Sequence, residues 1–195
     1  MAMVHAGRAE RVETIVKGLD TARAFVAAAL GPDDQRGRIL EFLDDHDDAL
    51  LRACLTGHLT ASAAVVDAAE RHVLLLHHRK LDRWLQPGGH ADGEGDLAAV
   101  ARRETWEETG LTGHLELPAL DLDVHDIPAR RGEPAHVHLD VRFRLLVDAR
   151  AQPAINHESR DLRWVGLADL DDPLLALDAS TTRLIRKALP AARRR

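Results

Sequence analysis

Residues 84–111, WLQPGGHADGEGDLAAVARRETWEETGL, decide how this chain reads. Trp84 to Gln86 end a short apolar strand and run into Pro87-Gly88-Gly89, where two glycines permit backbone angles and close approaches that a side chain blocks. Asp96 is placed to cap a helix, residues 97–109 contain neither Pro nor Gly, and Gly110 stands where helices exit through a left-handed residue. The pattern predicts a helix over 97–109. On it Glu104, Glu107 and Glu108 fall at i, i+3 and i+4, so three carboxylates share one side of a single turn and extend the apolar stripe of Leu97, Val100 and Ala101. Like charges at this spacing repel by about 0.2–0.5 kcal/mol per pair, and Glu107 and Glu108 also sit near the negative end of the helix dipole. Helix stability does not explain such an arrangement. A hard divalent cation that seeks oxygen ligands does, with Arg103 able to brace one glutamate through paired hydrogen bonds.

From Gly89 onward the stretch resembles the Nudix box, G-x5-E-x7-R-E-U-x-E-E-x-G-U with U a bulky apolar residue. Gly89, Arg103, Glu104, Glu107, Glu108, Gly110 and Leu111 match it in order and spacing. Two positions depart: the first glutamate falls on Gly95, flanked by Glu94 and Asp96, and the first U falls on Thr105. The resemblance implies an α/β/α sandwich around a mixed sheet and metal-dependent hydrolysis of a nucleoside diphosphate linked to another moiety. It also implies that Glu104, Glu107 and Glu108 hold Mg2+, with Mn2+ as an alternative, that a loop carbonyl such as Gly88 adds a metal oxygen, and that the first glutamate mainly braces the loop. Glu94 or Asp96 could take over that bracing. Gly95 motivates an alternative reading, a nucleotide-binding sensor or scaffold that hydrolyses little. A diphosphate isomerase of the same fold is disfavoured by the intact helix motif and the lack of a well-placed cysteine. An E-x-x-E-E without these neighbours would be no more than a solvated acidic face.

The 195 residues suit one domain with room for an appendage, and an apolar fraction of 45% is ample for a core. Cys54 is the only cysteine, which excludes an internal disulfide and suggests a cytoplasmic protein with a buried thiol. Neither a signal peptide nor a membrane span is legible: the start lacks an apolar core, and the run Ala24 to Leu30 is too short for a bilayer. A net charge of −6 argues against general nucleic-acid binding. Arg193, Arg194 and Arg195 read as a solvated basic tail, residues 191–195.

Residues 1–57 read as an N-terminal helical extension. Val12, Ile15, Val16 and Leu19, then Ala22, Phe25, Val26 and Leu30, recur at helical spacing before Gly31-Pro32-Asp33 breaks the run. A second pair, Ile39 to Leu43 and Ala49 to Leu55, is expected on either side of DDHDD. The extension could serve as a homodimer surface, a lid or added core. Residues 58–190 form the expected Nudix domain, with strands over Thr60 to Val66, Val73 to His77, Trp84 to Gln86 and His114 to Asp126. In HVHLDVRFRLLVDA, Val137, Leu139, Val141, Phe143, Leu145 and Val147 alternate with His136, His138, Asp140, Arg142 and Arg144. The polar row is either a solvated sheet face or part of a substrate cleft, with His136, His138 and Arg142 as substrate-binding candidates beside His90 of the glycine loop. A zinc site from His136, His138 and Asp140 would need a fourth ligand, with no cysteine near. His77, His78, Arg79 and Lys80 read as solvated polar residues with phosphate contact as the alternative, and Trp84, Trp106 and Trp164 as packing residues. Glu158, six residues before Trp164, matches a place where related enzymes often carry a further carboxylate, so the resemblance makes it a candidate general base or ligand. Ser180 is expected to cap a last helix through Leu189.

Overall fold

A computed structural model describes residues 16–130, 132–148 and 150–190. The readings for Val12, Ile15 and the arginine tail fall outside the described residues. A first helix, α1, occupies residues 16–28. It is followed by α2 (Asp33–Asp45), β1 (Gly57–Val66), β2 (His72–His78), β3 (Arg83–Leu85), β4 (Gly88–His90), α3 (Leu97–Thr109), β5 (Gly113–Ile127), β6 (His136–Val147), β7 (Ser159–Gly166), a 3-10 turn (Leu167–Asp169) and α4 (Ala179–Ala188). The sheet runs β3-β2-β1-β6-β5, with β4 also paired to β1 and β7 to β2. β1 and β6 are parallel and the other pairs antiparallel, which makes the mixed sheet that the resemblance implied.

β1 is the spine, buried along its whole length because both of its faces are covered. On one face Leu59, Ala61, Ala63 and Val65 join Leu139, Val141, Phe143 and Leu145 of β6 in a core closed by α1, α2 and α3. On the other, Ala64 and Val66 meet Val73, Leu75 and the inward residues of α4, Leu184 and Ile185. Each large aliphatic side chain buried this way contributes about 1.5–3 kcal/mol. The helical extension shares the first core, through Leu19, Ala22, Val26, Ile39 and Leu43. Backbone contacts pin it further: Leu30 N donates to Ala119 O at 2.8 Å, and Val124 N donates to Gln35 Oε1 at 2.8 Å.

Four local expectations need correction. Ala49 to Leu55 form successive turns rather than a helix, since their carbonyls are used elsewhere: Ala49 O accepts from Leu59 N and Leu50 O from Gly93 N, both at 2.8 Å. Gly88 and Gly89 do more than turn the chain, because with His90 they form β4. The cap of α4 is Asp178, which accepts from Thr181 N at 2.7 Å, and Ser180 is drawn instead to Asp123 and Arg142, each at 2.6 Å. Trp106 is exposed on the outer side of α3 and does not pack inward.

The polar row of β6 is largely covered by β1, β5 and α4. Asp140 accepts from Thr60 and Ser62 as well as from Arg142, whose other nitrogens reach Asp123 at 2.9 Å and Ser180. Arg183 and Lys187 of α4 complete the neutralisation of Asp121 and Asp123. Charges buried this deeply persist only when every partner is supplied.

Candidate active site

The box helix is built as its residues dictate. Asp96 accepts from Ala99 N at 2.9 Å, and Gly110 leaves the helix at φ 69°, donating to Trp106 O. Leu97, Val100 and Ala101 anchor the inner face, which carries Glu104 and Glu108 inward one and two turns later, while Glu107 stays half exposed at the rim.

Glu108 is the deepest of the carboxylates, and the Gly88 N–H donates to its Oε2 at 2.9 Å. Burial pushes its carboxyl up to about 8; the Gly88 N–H pulls the other way, and the charges of Glu104, Glu158 and Glu107 push up again. Glu104 lies over Gly89, where a Cβ would stand 2.9 Å or less from its carboxylate oxygens. Only glycine leaves that space. Arg103 braces the set from outside, donating to Glu104 Oε1 at 2.8 Å and to His90 O at 3.1 Å, with Glu107 Oε1 3.9 Å away. Gly88 meets the helix through its N–H.

Glu158 comes from the distant loop before β7. Its carbonyl accepts from Arg79 N at 2.8 Å and its N–H donates to Asn156 Oδ1 at 3.0 Å, which hold its backbone, and its half-exposed carboxylate adds to the negative field on Glu108. His78 also feels that charge, although burial holds its own pKa below the ordinary value. Glu104 and Glu108 thus meet the glycine turn from α3, Glu107 stands at its rim, and Glu158 adds its charge from the loop before β7. Their chemistry fits a hard divalent cation: one buried carboxylate stands in the field of three others of its own sign, and Arg103 pairs only with Glu104 and Glu107 among the described residues.

Gly95 owes its identity to the extension. A Cβ there would lie 2.6 Å from Gly18 Cα, so α1 occupies the space a glutamate would need. The loop is instead held by Arg52, which forms a two-pronged pair with Asp92 at 2.7 and 2.8 Å, and by the Gly93 N–H on Leu50 O. Glu94 Oε1 accepts from Asp96 N at 2.8 Å, so both acidic neighbours of Gly95 support the loop locally. Arg52 has no mark in the sequence, because its role depends on the turns that bring it to Asp92.

The substrate candidates separate. His90, His136 and His138 gather, but on the sheet face opposite α3, because His90 pairs with Thr60 while its neighbour Gly89 faces Glu104. His58, which the strand pattern did not single out, joins them from the parallel register His58↔His138. Its signal was a histidine in phase with Thr60 and Ser62, the polar side of the first half of β1. Burial lowers the pKa of His138 to about 2 and of His90 to about 4, and depresses His58 as well. Arg142 lies in the buried ion network, remote from solvent.

Among the described residues no helix is long and apolar enough to cross a membrane. A family model described as NUDIX domain matches residues 57–187. Among solved structures, the chain is similar to the NUDIX domain of Shewanella oneidensis NrtR complexed with ADP ribose, at 24% identity over 76% of this chain and 94% of that one, TM-score 0.54. It is similar to a C. elegans Ap4A hydrolase binary complex at 21% identity, over 66% and 93% of the two chains, TM-score 0.51. A MutT NUDIX hydrolase from Burkholderia pseudomallei gives 24% identity, 68% and 98% coverage and TM-score 0.50. These likenesses establish the fold, and the domain match, spanning most of the chain, places the protein in the NUDIX family of hydrolases.

Proposed function

We propose that the protein is a magnesium-dependent diphosphatase that cleaves a nucleoside diphosphate linked to another moiety. The observation that carries this reading is Glu108: a buried carboxylate set against Glu104, Glu107 and Glu158, with its pKa pushed up to about 8. Glu104, Glu107 and Glu108 would hold the cation, with Glu158 as a further ligand or the base that takes a proton from the attacking water. Bound there, Mg2+ or Mn2+ supplies positive charge against the diphosphate oxygens and acidity to a water.

The chain's own residues do the positioning. The Gly88 N–H orients Glu108, Arg103 orients Glu104, and Gly89 leaves room for the Glu104 carboxylate. Such orientation matters because displacement at phosphorus is sensitive to errors of about 1 Å. Residues 16–57 act, in this reading, as the brace of the box loop, with Gly18 packed on Gly95 and Arg52 clamping Asp92. That brace removes the motive for a non-hydrolysing sensor, since Gly95 does not leave the loop unsupported. Arg142 is assigned to the fold.

Phosphate or nucleotide release from ADP-ribose, diadenosine polyphosphates, nucleotide sugars and nucleoside triphosphates, with and without Mg2+, tests the proposal. Magnesium-dependent turnover of at least one diphosphate that is lost in Glu104→Gln and Glu108→Gln supports it. Tight binding across the panel without turnover replaces it with the sensor.

A further inference from the structure

We propose that His58, His136 and His138 form a second metal site, selective for a zinc-class divalent transition ion, on the sheet face opposite the box helix. Their ligand nitrogens lie within 4.8 Å of one another. His136 Nε2 and His138 Nε2 are 3.2 Å apart. Zinc–nitrogen bonds of about 2.0–2.1 Å in a tetrahedral site put ligand nitrogens about 3.3 Å from each other, so one edge of the tetrahedron is already at bonding separation.

The surroundings prepare the lone pairs. His136 Nδ1 is 2.9 Å from the Pro134 carbonyl and donates to it, which leaves Nε2 bare and aimed at His138. A metal-binding histidine is oriented by such a contact on its other nitrogen. His58 is 3% exposed, and neither of its ring nitrogens completes a hydrogen bond, although the Cys54 carbonyl lies near enough to favour its protonated form. A buried polar ring left without partners is costly; a metal bond satisfies one of its nitrogens and leaves the N–H of the other for the nearby Cys54 carbonyl. Glu133 Oε1, 3.7 Å from His136 Nε2, borders the fourth position, which Glu133 or solvent completes. Asp140 is excluded from the set because Thr60, Ser62 and Arg142 occupy its oxygens.

Donor chemistry separates the two sites. Imidazole nitrogens suit zinc, cobalt, nickel or copper, whereas the carboxylates of α3 suit magnesium. β4 lies between them, with Gly89 turned to Glu104 and the His90 ring tilted against His58 and edge-on to His138.

The test uses the full chain stripped of metal by a chelator and titrated with Co2+ in excess Mg2+, which saturates the carboxylates. One equivalent of cobalt should bind with the visible absorption of a tetrahedral nitrogen site, and Zn2+ should displace it. His58→Gln and His138→Gln should abolish the band, while Glu104→Gln and Glu108→Gln keep it. A band absent from wild type, retained in both histidine variants, or lost in the glutamate variants overturns the proposal. Should the histidine variants fail to fold, imidazole 15N spectra of wild type decide: zinc must shift the ring nitrogens of three histidines, and unmoved resonances refute the site. Failure of the diphosphatase assay would leave these outcomes unaffected, because none of them reads turnover.

Discussion

Replacing Glu108 by Gln keeps the shape of the side chain and its acceptor for the Gly88 N–H while removing the titrating proton. In the wild type, burial and the neighbouring carboxylates push the folded carboxyl up to about 8 from its ordinary value of 4.5. Between those two values the folded protein holds a proton that the unfolded chain has released. Stability therefore falls as pH rises across that window, and the contribution is complete only below the lower value. At about 1.4 kcal/mol per pH unit, a rise from about pH 5.5 to about pH 8 costs the wild type roughly 3 kcal/mol relative to Glu108→Gln. For a protein of this size that is about 6–12 °C in Tm. The buried histidines act with the opposite sign: unfolded His58, His90 and His138 take up protons below about 6.5, which the folded protein refuses. They are present in both proteins and cancel in the difference. Thermal melts in chelator at several pH values give the curves directly. Adding Mg2+ at about pH 8 should stabilise the wild type by about 2.7 kcal/mol at a hundredfold excess over Kd, seen as a higher Tm, and stabilise Glu108→Gln far less. Parallel curves for the two proteins between about pH 5.5 and pH 8 would refute the reasoning, since they would mean that Glu108 is neither desolvated nor crowded by its neighbours.

Three more outcomes follow from the same geometry. Gly95→Glu, which restores the glutamate of the Nudix box, should destabilise the protein by about 1–3 kcal/mol in urea unfolding and lower magnesium-dependent turnover, because Gly18 leaves no room for the new side chain; a neutral or more active variant would contradict the docking of α1. Arg142→Met strands Asp121, Asp123 and Asp140 without their shared cation and should cost about 3–5 kcal/mol, measured by the same unfolding curve, while full stability would remove the network from the account. Combined His90→Gln and His138→Gln should flatten the fall in metal-free stability from about pH 6.5 down to about pH 4, read from thermal melts; an unchanged slope would show that these rings are not held neutral.

Much of this protein could be read from residue order alone, for reasons that are local. The cap at Asp96, the exit at Gly110 and the placement of Glu104, Glu107 and Glu108 depend on a period of 3.6 residues within one helix, and the strands beside it depend on alternation and turn residues. The same local signals failed where a distant segment competed. Ala49 to Leu55 have helical spacing but give up their carbonyls to β1 and the box loop, and Ser180 abandons the cap for Asp123 and Arg142. Tertiary structure alone decided three things: that Gly95 is excluded from being larger by the backbone of α1, that the polar row of β6 is sealed by α4, and that His58 meets His138 across a parallel strand pair separated by about eighty residues of chain. Each is a contact between surfaces far apart in the chain, whose cost and fit arise only when the segments pack, so no window of sequence carries it.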